Sequence, residues 1–381
     1  MHVTSLQLID FRSYERVDLA LGPGATVLVG ANGQGKTNLI EALGYAATLK
    51  SHRVAQDAPL IRQGAERAVV RVAVVRGGRE VLVELEINAG RANRARVNRT
   101  AVPRPRDVLG HVSRVLFCPE DLALVKGDPA ERRGYLDELL VALHPRFHGV
   151  LEDLERVLRQ RNSLLKSASA LRGGGARARA SAEQTIGVWD DQLSVLAAQL
   201  ILARHHLVQR LDGPLSGSYR AVAPGASDPR PDIEYVCGVP GVETWTQEAI
   251  SATIQDMLIQ RRDEEFARGL TLVGPHRDEL ALSLHGMPMR GYASHGESWS
   301  MSLALRLASY DLLLADAAAG AAPVLVLDDV FAELDTGRRD RLAAAVAPVE
   351  QVLVTAAVAE DVPAGLAGRT IPVTAGITVT S

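Results

Sequence analysis

Apolar and polar positions alternate from Val3 to Phe11 and again from Val17 to Leu21, and Gly22-Pro23-Gly24 turns the chain after them, so the N-terminus predicts a β-hairpin. It feeds a continuous apolar run, Ala25-Thr26-Val27-Leu28-Val29, which reads as a short buried strand; from Asn38 to Leu43 the spacing becomes helical. A second hairpin follows, Ala68 to Val75 and Glu80 to Ile87 about Gly77-Gly78, and Val112 to Phe117 reads as a further buried strand.

Beyond this point the period stays helical for a long stretch. Asp128-Pro129-Ala130-Glu131 combines an N-cap, a proline at the first helical position and a capping-box glutamate. Leu151, Leu154, Val157 and Leu158, then Leu193, Leu196, Leu200 and Leu207, keep helical spacing through 145–171 and 181–211, with Gly173-Gly174-Gly175 between. The pattern predicts a helical hairpin whose arms reach on the order of 40 Å at 1.5 Å per residue; Arg177 and Arg179 make its tip basic, as a solvated loop. Pro-rich 223–231 reads as a connection, Ile233 to Val236 as a strand, and Glu243 to Arg268 as one long helix. Sheet returns at Leu270 to Val273 and Leu280 to Leu284, and Ser294 opens a helix running to about Ala319. In Val324-Leu325-Val326-Leu327-Asp328-Asp329 the aliphatic run ends in acids, the pattern of a buried parallel strand delivering carboxylates to its C-terminal edge. Val352 to Thr355 supplies another core strand. The class is α/β, divided at 1–125, 126–268 and 269–381 into an N-terminal lobe, a helical lobe and a return to the first fold.

Composition narrows this picture modestly. At 381 residues and 47% apolar, the chain can bury a large core, and its apolar runs fall short of the roughly 20 residues a membrane span needs. No basic-then-apolar signal pattern opens it, and Cys118 and Cys237 are too few and too far apart for a disulfide framework, so the expected setting is cytoplasmic with reduced thiols and no membrane partner. A net charge of −3 requires any nucleic-acid surface to be a local patch, and 4% aromatic residues disfavour a base-stacking platform. The densest such patch is 90–106, where Arg91, Arg94, Arg96, Arg99, Arg104 and Arg106 occur with no acid. It suits a phosphate backbone, and equally an edge strand protected by charge.

The sharpest chemistry is Gly30-Ala31-Asn32-Gly33-Gln34-Gly35-Lys36-Thr37, a full match to G-x-x-x-x-G-K-[ST] between a predicted strand and a predicted helix. Glycines let backbone amides wrap anionic oxygens, Lys36 reaches the β/γ-phosphates, and the Thr37 hydroxyl holds Mg²⁺. ATP with Mg²⁺ is therefore the expected ligand pair.

Together with Ser51-His52-Arg53, Phe117-Cys118-Pro119-Glu120-Asp121-Leu122, Arg132-Arg133, Gly274 to Asp278, Ser294 to Glu297 and Leu327 to Asp335, the loop residues Gly30 to Asn38 resemble the ATP-binding-cassette heads of SMC-type chromosome proteins. Among these the pattern resembles the RecF family of bacterial recombination mediators, over nearly the whole chain. The resemblance implies an ABC-type P-loop ATPase head with an inserted α-helical lobe and a short helical hairpin arm. It implies that Asp328 coordinates Mg²⁺ and that Asp329, one methylene shorter than the family's glutamate, orients the attacking water. Asn38 and Arg53 would join the nucleotide site. Ser294, Gly296 and Glu297 would cap the nucleotide of the other subunit, with Asp335 as the adjoining D-loop, so an ATP-dependent homodimer is implied. Three departures, Pro119-Glu120 at the Q-loop glutamine, Thr355 at the switch histidine and Trp299-Ser300 after the signature, favour a weak, DNA-dependent ATPase that acts as a switch. Implied partners are single- and double-stranded DNA, bound through Arg91, Arg94, Arg96 and Arg99, together with RecO/RecR-type mediators and recombinase, in replication and recombinational repair. The rival reading is the nucleotide-binding subunit of a membrane transporter; a P-loop kinase would need an acceptor pocket and lid that the sequence does not offer.

Overall fold

A computed structural model describes residues 1–170, 175–223, 230–366 and 368–374, with the side chains of 169–184 left out. The chain forms two compact units, one of residues 1–126, 213–231 and 284–381, the other of 127–212 and 232–283.

The first unit holds two sheets. Strands His2–Phe11, Tyr14–Ala20, Arg67–Arg76, Arg79–Asn88, Arg94–Val97 and Thr100–Ala101 make an antiparallel sheet, with His2–Phe11 paired to both Tyr14–Ala20 and Arg67–Arg76. The other sheet is parallel and runs, in space, Arg369–Pro372, Gly24–Val29, Gln351–Ala356, Val324–Asp328, Arg114–Phe117. Its centre is aliphatic on both faces, as parallel strands require: Val324, Val326, Leu327 and Val354 are fully buried. Each such side chain contributes about 1.5–3 kcal/mol by leaving water. Leu39, Ile40, Ala42 and Leu43 of helix Lys36–Thr48 join the same core, so the helix that follows the phosphate-loop motif is fixed by its own apolar face.

The second unit is mainly helical: Pro129–Leu143, Arg146–Ala170, most of Gly175–Val222, Gln247–Gln260 and Arg262–Arg268, with strands Pro231–Val236 and Glu279–Leu284 paired. Arg161, fully buried, ties its helices by donating to Asp190 Oδ1 (2.8 Å), Thr271 Oγ1 (2.9 Å) and Glu265 Oε2 (2.5 Å). Arg204 does the same between Asp137 and Asp278.

Several elements differ from the sequence expectation. Leu270 to Val273 is not a strand, because side chains take its donors: Thr271 N–H goes to Asn162 Oδ1 (2.7 Å) and Leu272 N–H to Glu265 Oε1 (2.7 Å). The helix expected over 243–268 is two, broken at Arg261. The second arm is longer than its apolar pattern and runs to Val222 with Pro214 inside it. That helix carries an apolar stretch long enough to cross a membrane by length and composition, of which Leu193, Ala197, Leu200, Ile201, Leu207 and Leu211 are buried within the protein. Asp128 stands at the N-cap of Pro129–Leu143 without its side chain accepting the capping bond. Residues 269–283 group with the helical unit, held there by Asp278 and strand Glu279–Leu284, while 213–231 group with the first, where Arg341 Nη1 donates to Ala223 O (2.6 Å). The turn at 171–174, the Arg177 and Arg179 side chains and 224–229 lie outside the described residues.

Candidate functional site

Gly30 to Thr37 leave the carboxyl end of an interior parallel strand, where α/β sheets hold ligands. Two of the glycines are sterically obligatory. A Cβ on Gly30 would lie 2.2 Å from Val373 O, and one on Gly35, at φ 103°, would lie 2.5 Å from the Tyr14 hydroxyl. The Gly33 and Gly35 N–H groups donate to no backbone acceptor among the described residues, and those of Lys36 and Thr37 open a helix, where no intrahelical acceptor precedes them. The loop thus offers a row of donors at a helix N-terminus, the arrangement that receives phosphate. Lys36, 4% exposed, donates to Gly30 O (2.7 Å) and stands 3.8 Å from Asp329 Oδ1.

The acids arrive from two strands away. Gln351–Ala356 lies between the loop strand and Val324–Asp328, in register so that Thr355 sits opposite Asp328. The buried Thr355 hydroxyl donates to Asp328 Oδ1 (2.6 Å) and accepts the Asp329 N–H (2.8 Å). That second bond holds Asp329 in a left-handed conformation, φ 51°, which turns its carboxylate toward Lys36. Thr37 Oγ1 donates to Asp328 Oδ1 across 3.5 Å. Burial, then the charges of Asp329 and Glu120, push the Asp328 carboxyl up to about 6, against the opposing bonds from Thr355 and Thr37. A hydroxyl and a carboxylate side by side fit Mg²⁺, which takes few protein ligands and keeps water and phosphate oxygens. Among the described residues no cluster of three or more His, Cys, Asp or Glu forms an all-protein cage.

Glu41, which the sequence reading did not single out, anchors the other flank. It is fully buried on the loop helix and accepts from Arg12 Nε (2.7 Å) and Nη2 (2.5 Å) and from Ser51 Oγ (2.5 Å). Burial pushes its carboxyl up, but these bonds and the Arg12 and Arg53 charges outweigh it and hold the group below the usual carboxylate range. Arg53 in turn reaches Asn38 Oδ1 (2.9 Å) and Glu41 Oε2 (3.4 Å), so Arg53 and Asn38 stand together beside the loop helix. An acid inside Leu39-Ile40-Glu41-Ala42-Leu43 was the available signal.

Ser294, Gly296 and Glu297 form the N-terminal turn of helix His295–Asp316 as a capping box: Glu297 N–H donates to Ser294 Oγ (3.2 Å) and Ser294 N–H to Glu297 Oε2 (2.8 Å). Asp335 caps helix Thr336–Val346 by accepting the Arg338 N–H (3.1 Å) and pairs with the Arg338 guanidinium. The signature turn and Asp335 come together at that arginine, whereas Thr37 and Lys36 of the phosphate loop reach Asp328 and Asp329. Thr355 accounts for one departure from the family pattern, since it bridges both acids. Glu120 is exposed and acts on Asp328 by charge.

The arginine stretch occupies the strand next to the sheet edge. Arg94 and Arg96 face solvent with Ala95 buried between them, opposite Glu86 and Glu84; Arg91 and Arg99 sit in the turns at either end. Arg67 and Arg71 pair with the same glutamates at 3.4 and 2.8 Å. The face is therefore net basic but interleaved with acids from the neighbouring strand, which the sequence run alone does not contain.

The family described as RecF/RecN/SMC N terminal domain matches residues 2–367. A DNA replication and repair protein RecF of Frankia alni is 58% identical over 385 residues, covering 99% of this chain and 98% of that protein. A solved structure of the recombination mediator protein RecF with ATP, in the RecFOR pathway, has a TM-score of 0.86 and 25% identity over 99% of this chain and 96% of that one. An Smc head domain from Pyrococcus furiosus, bound to the C-terminal domain of ScpA, shares the fold at a TM-score of 0.55 and 18% identity, covering 98% and 94% of the two chains.

Proposed function

The chain belongs to the RecF/RecN/SMC N-terminal domain family, and on that premise we propose that it is an ATP-dependent DNA-binding protein of DNA replication and recombinational repair. The observation that carries the reading is the cluster of Lys36, Thr37, Asp328, Asp329 and Thr355 at one sheet edge, inside a chain that matches DNA replication and repair proteins along nearly its full length. On binding ATP, the Lys36 ammonium leaves Gly30 O for the β/γ-phosphate oxygens, and the loop amides take the remaining phosphate oxygens. Thr37 and Asp328 hold Mg²⁺, which when bound neutralises charge on the phosphates. Thr355 keeps Asp328 oriented and, through the backbone, aims Asp329 at the position of an attacking water. Because Asp329 is short and held by a strained backbone, hydrolysis is slow and the bound state is the signal.

A second copy supplies Ser294, Gly296, Glu297 and Asp335 to the same nucleotide, so ATP drives a homodimer. Arg91, Arg94, Arg96 and Arg99 then meet DNA phosphates at gaps and single-strand–double-strand junctions, where the dimer works in the cytoplasm with RecO/RecR-type mediators and recombinase. The transporter reading loses ground because the matched relative is a DNA repair protein along almost all of its length. The test is binding of a gapped duplex by fluorescence anisotropy: ATP should tighten it relative to ADP, and equal affinity with both nucleotides would contradict the switch.

A further inference from the structure

The signature turn and the D-loop are separated in sequence and belong to different helices, yet one side chain touches both. Arg338 Nη1 pairs with Asp335, whose carboxylate also caps the Arg338 helix. On its other side the same guanidinium lies against Gly296 so closely that a Cβ there would be 2.4 Å from Nη2 and 3.1 Å from Cζ. A side chain at 296 would push the guanidinium out of this position. Arg338 Nε is buried without a hydrogen-bond partner. Behind the pair stands Tyr219, 2% exposed and near enough to feel the charges of both Glu297 and Arg338.

The ion pair is too accessible to be there for stability: the Asp335 side chain is 53% exposed, a setting in which such pairs contribute little. The turn it braces is itself at the surface, with Ser294 and His295 exposed. A planar fork wedged between a carboxylate and a glycine fixes direction as well as distance, which a lysine would not.

We propose that Arg338 is a positioning residue that locks the signature turn and Asp335 into one rigid surface for the nucleotide held by a second copy of the chain. The proposal rests on the ATP-dimer reading above and adds the element that makes the two motifs act together. Arg338 contacts Asp335 and Gly296, so on this reading its loss acts on the partner's site.

That directionality makes the test specific. Arg338→Ala should bind ATP as a monomer with unchanged affinity, yet its dimer should hydrolyse ATP about a hundredfold more slowly, the scale of a misplaced group. Lys36→Ala should hydrolyse none. Mixed together, the two should recover hydrolysis well above their sum, because the Arg338→Ala subunit keeps an intact phosphate loop and the Lys36→Ala subunit an intact signature. Arg338→Lys should restore hydrolysis only partly, and Arg338→Gln serves if the alanine variant is unstable. Wild-type hydrolysis by Arg338→Ala, or a mixture that recovers nothing while its Arg338→Ala subunit binds ATP, would overturn the proposal. If the wild-type protein itself fails to dimerise with ATP, the dimer reading fails and takes this inference with it.

Discussion

Replacing Asp328 by Asn should stabilise the nucleotide-free protein at neutral pH while abolishing its response to Mg²⁺. Asp328 is 4% exposed, and its carboxyl is raised to about 6 from an ordinary value of 3.8, chiefly by burial. Between those two values the folded state holds a proton that the unfolded state has released. Stability is therefore lost as pH rises through that window, and the full cost is present above it. At 1.36 kcal/mol per pH unit the cost approaches about 3 kcal/mol at pH 8 and about half of that at pH 5. An Asn keeps the shape and can still accept from Thr355, so removing the charge should return roughly that energy. The assay is urea unfolding of wild type and Asp328→Asn in EDTA at pH 5 and pH 8, repeated with Mg²⁺ and ATP. A gain that is equal at both pH values, or an Asn variant less stable at pH 8, would refute the claim that a desolvated acid waits there for a cation.

Two other variants probe the chemistry and the DNA surface. Asp329→Asn keeps the backbone bond to Thr355 but removes the base, so ATP should still bind and trap the dimer while phosphate release falls about a hundredfold or more; unchanged phosphate release would remove Asp329 from the mechanism. Neutralising Arg94, Arg96 and Arg99 together should lower the salt slope of DNA affinity by about three units if each meets a phosphate, with ATP binding first shown intact. Should the slope stay as in the wild type, these arginines are a charged sheet edge and the DNA surface lies elsewhere.

What could be read in the sequence was what is local in it. The phosphate loop, its strand and helix, the helix start at Ser294 and the acid-ended strand Val324–Asp328 each depend on residues within a few positions of one another, so pattern and spacing suffice. Thr355 was legible only as a departure from a family pattern, because its role exists only once Gln351–Ala356 lies between the loop strand and the acid strand. Arg338 carried no signal, since its meeting with Gly296 joins helices distant in the chain. Leu270 to Val273 misled for a related reason: its apolar pattern suits a strand, but the buried Glu265 and the half-buried Asn162 claim the donors a ladder would need. The acids that interleave with Arg94 and Arg96 come from the neighbouring strand, so the unbroken positive run overstates the charge of that face.

On the proposed reading, ATP cradled by Lys36 joins two copies of the chain. Sedimentation velocity of the wild type and of Lys36→Ala, each with ATP, ADP and no nucleotide at one protein concentration, tests it most directly. A dimer should form only for the wild type with ATP, and Lys36→Ala should stay monomeric with an unchanged melting temperature. A Lys36→Ala protein that dimerises with ATP as the wild type does would contradict it.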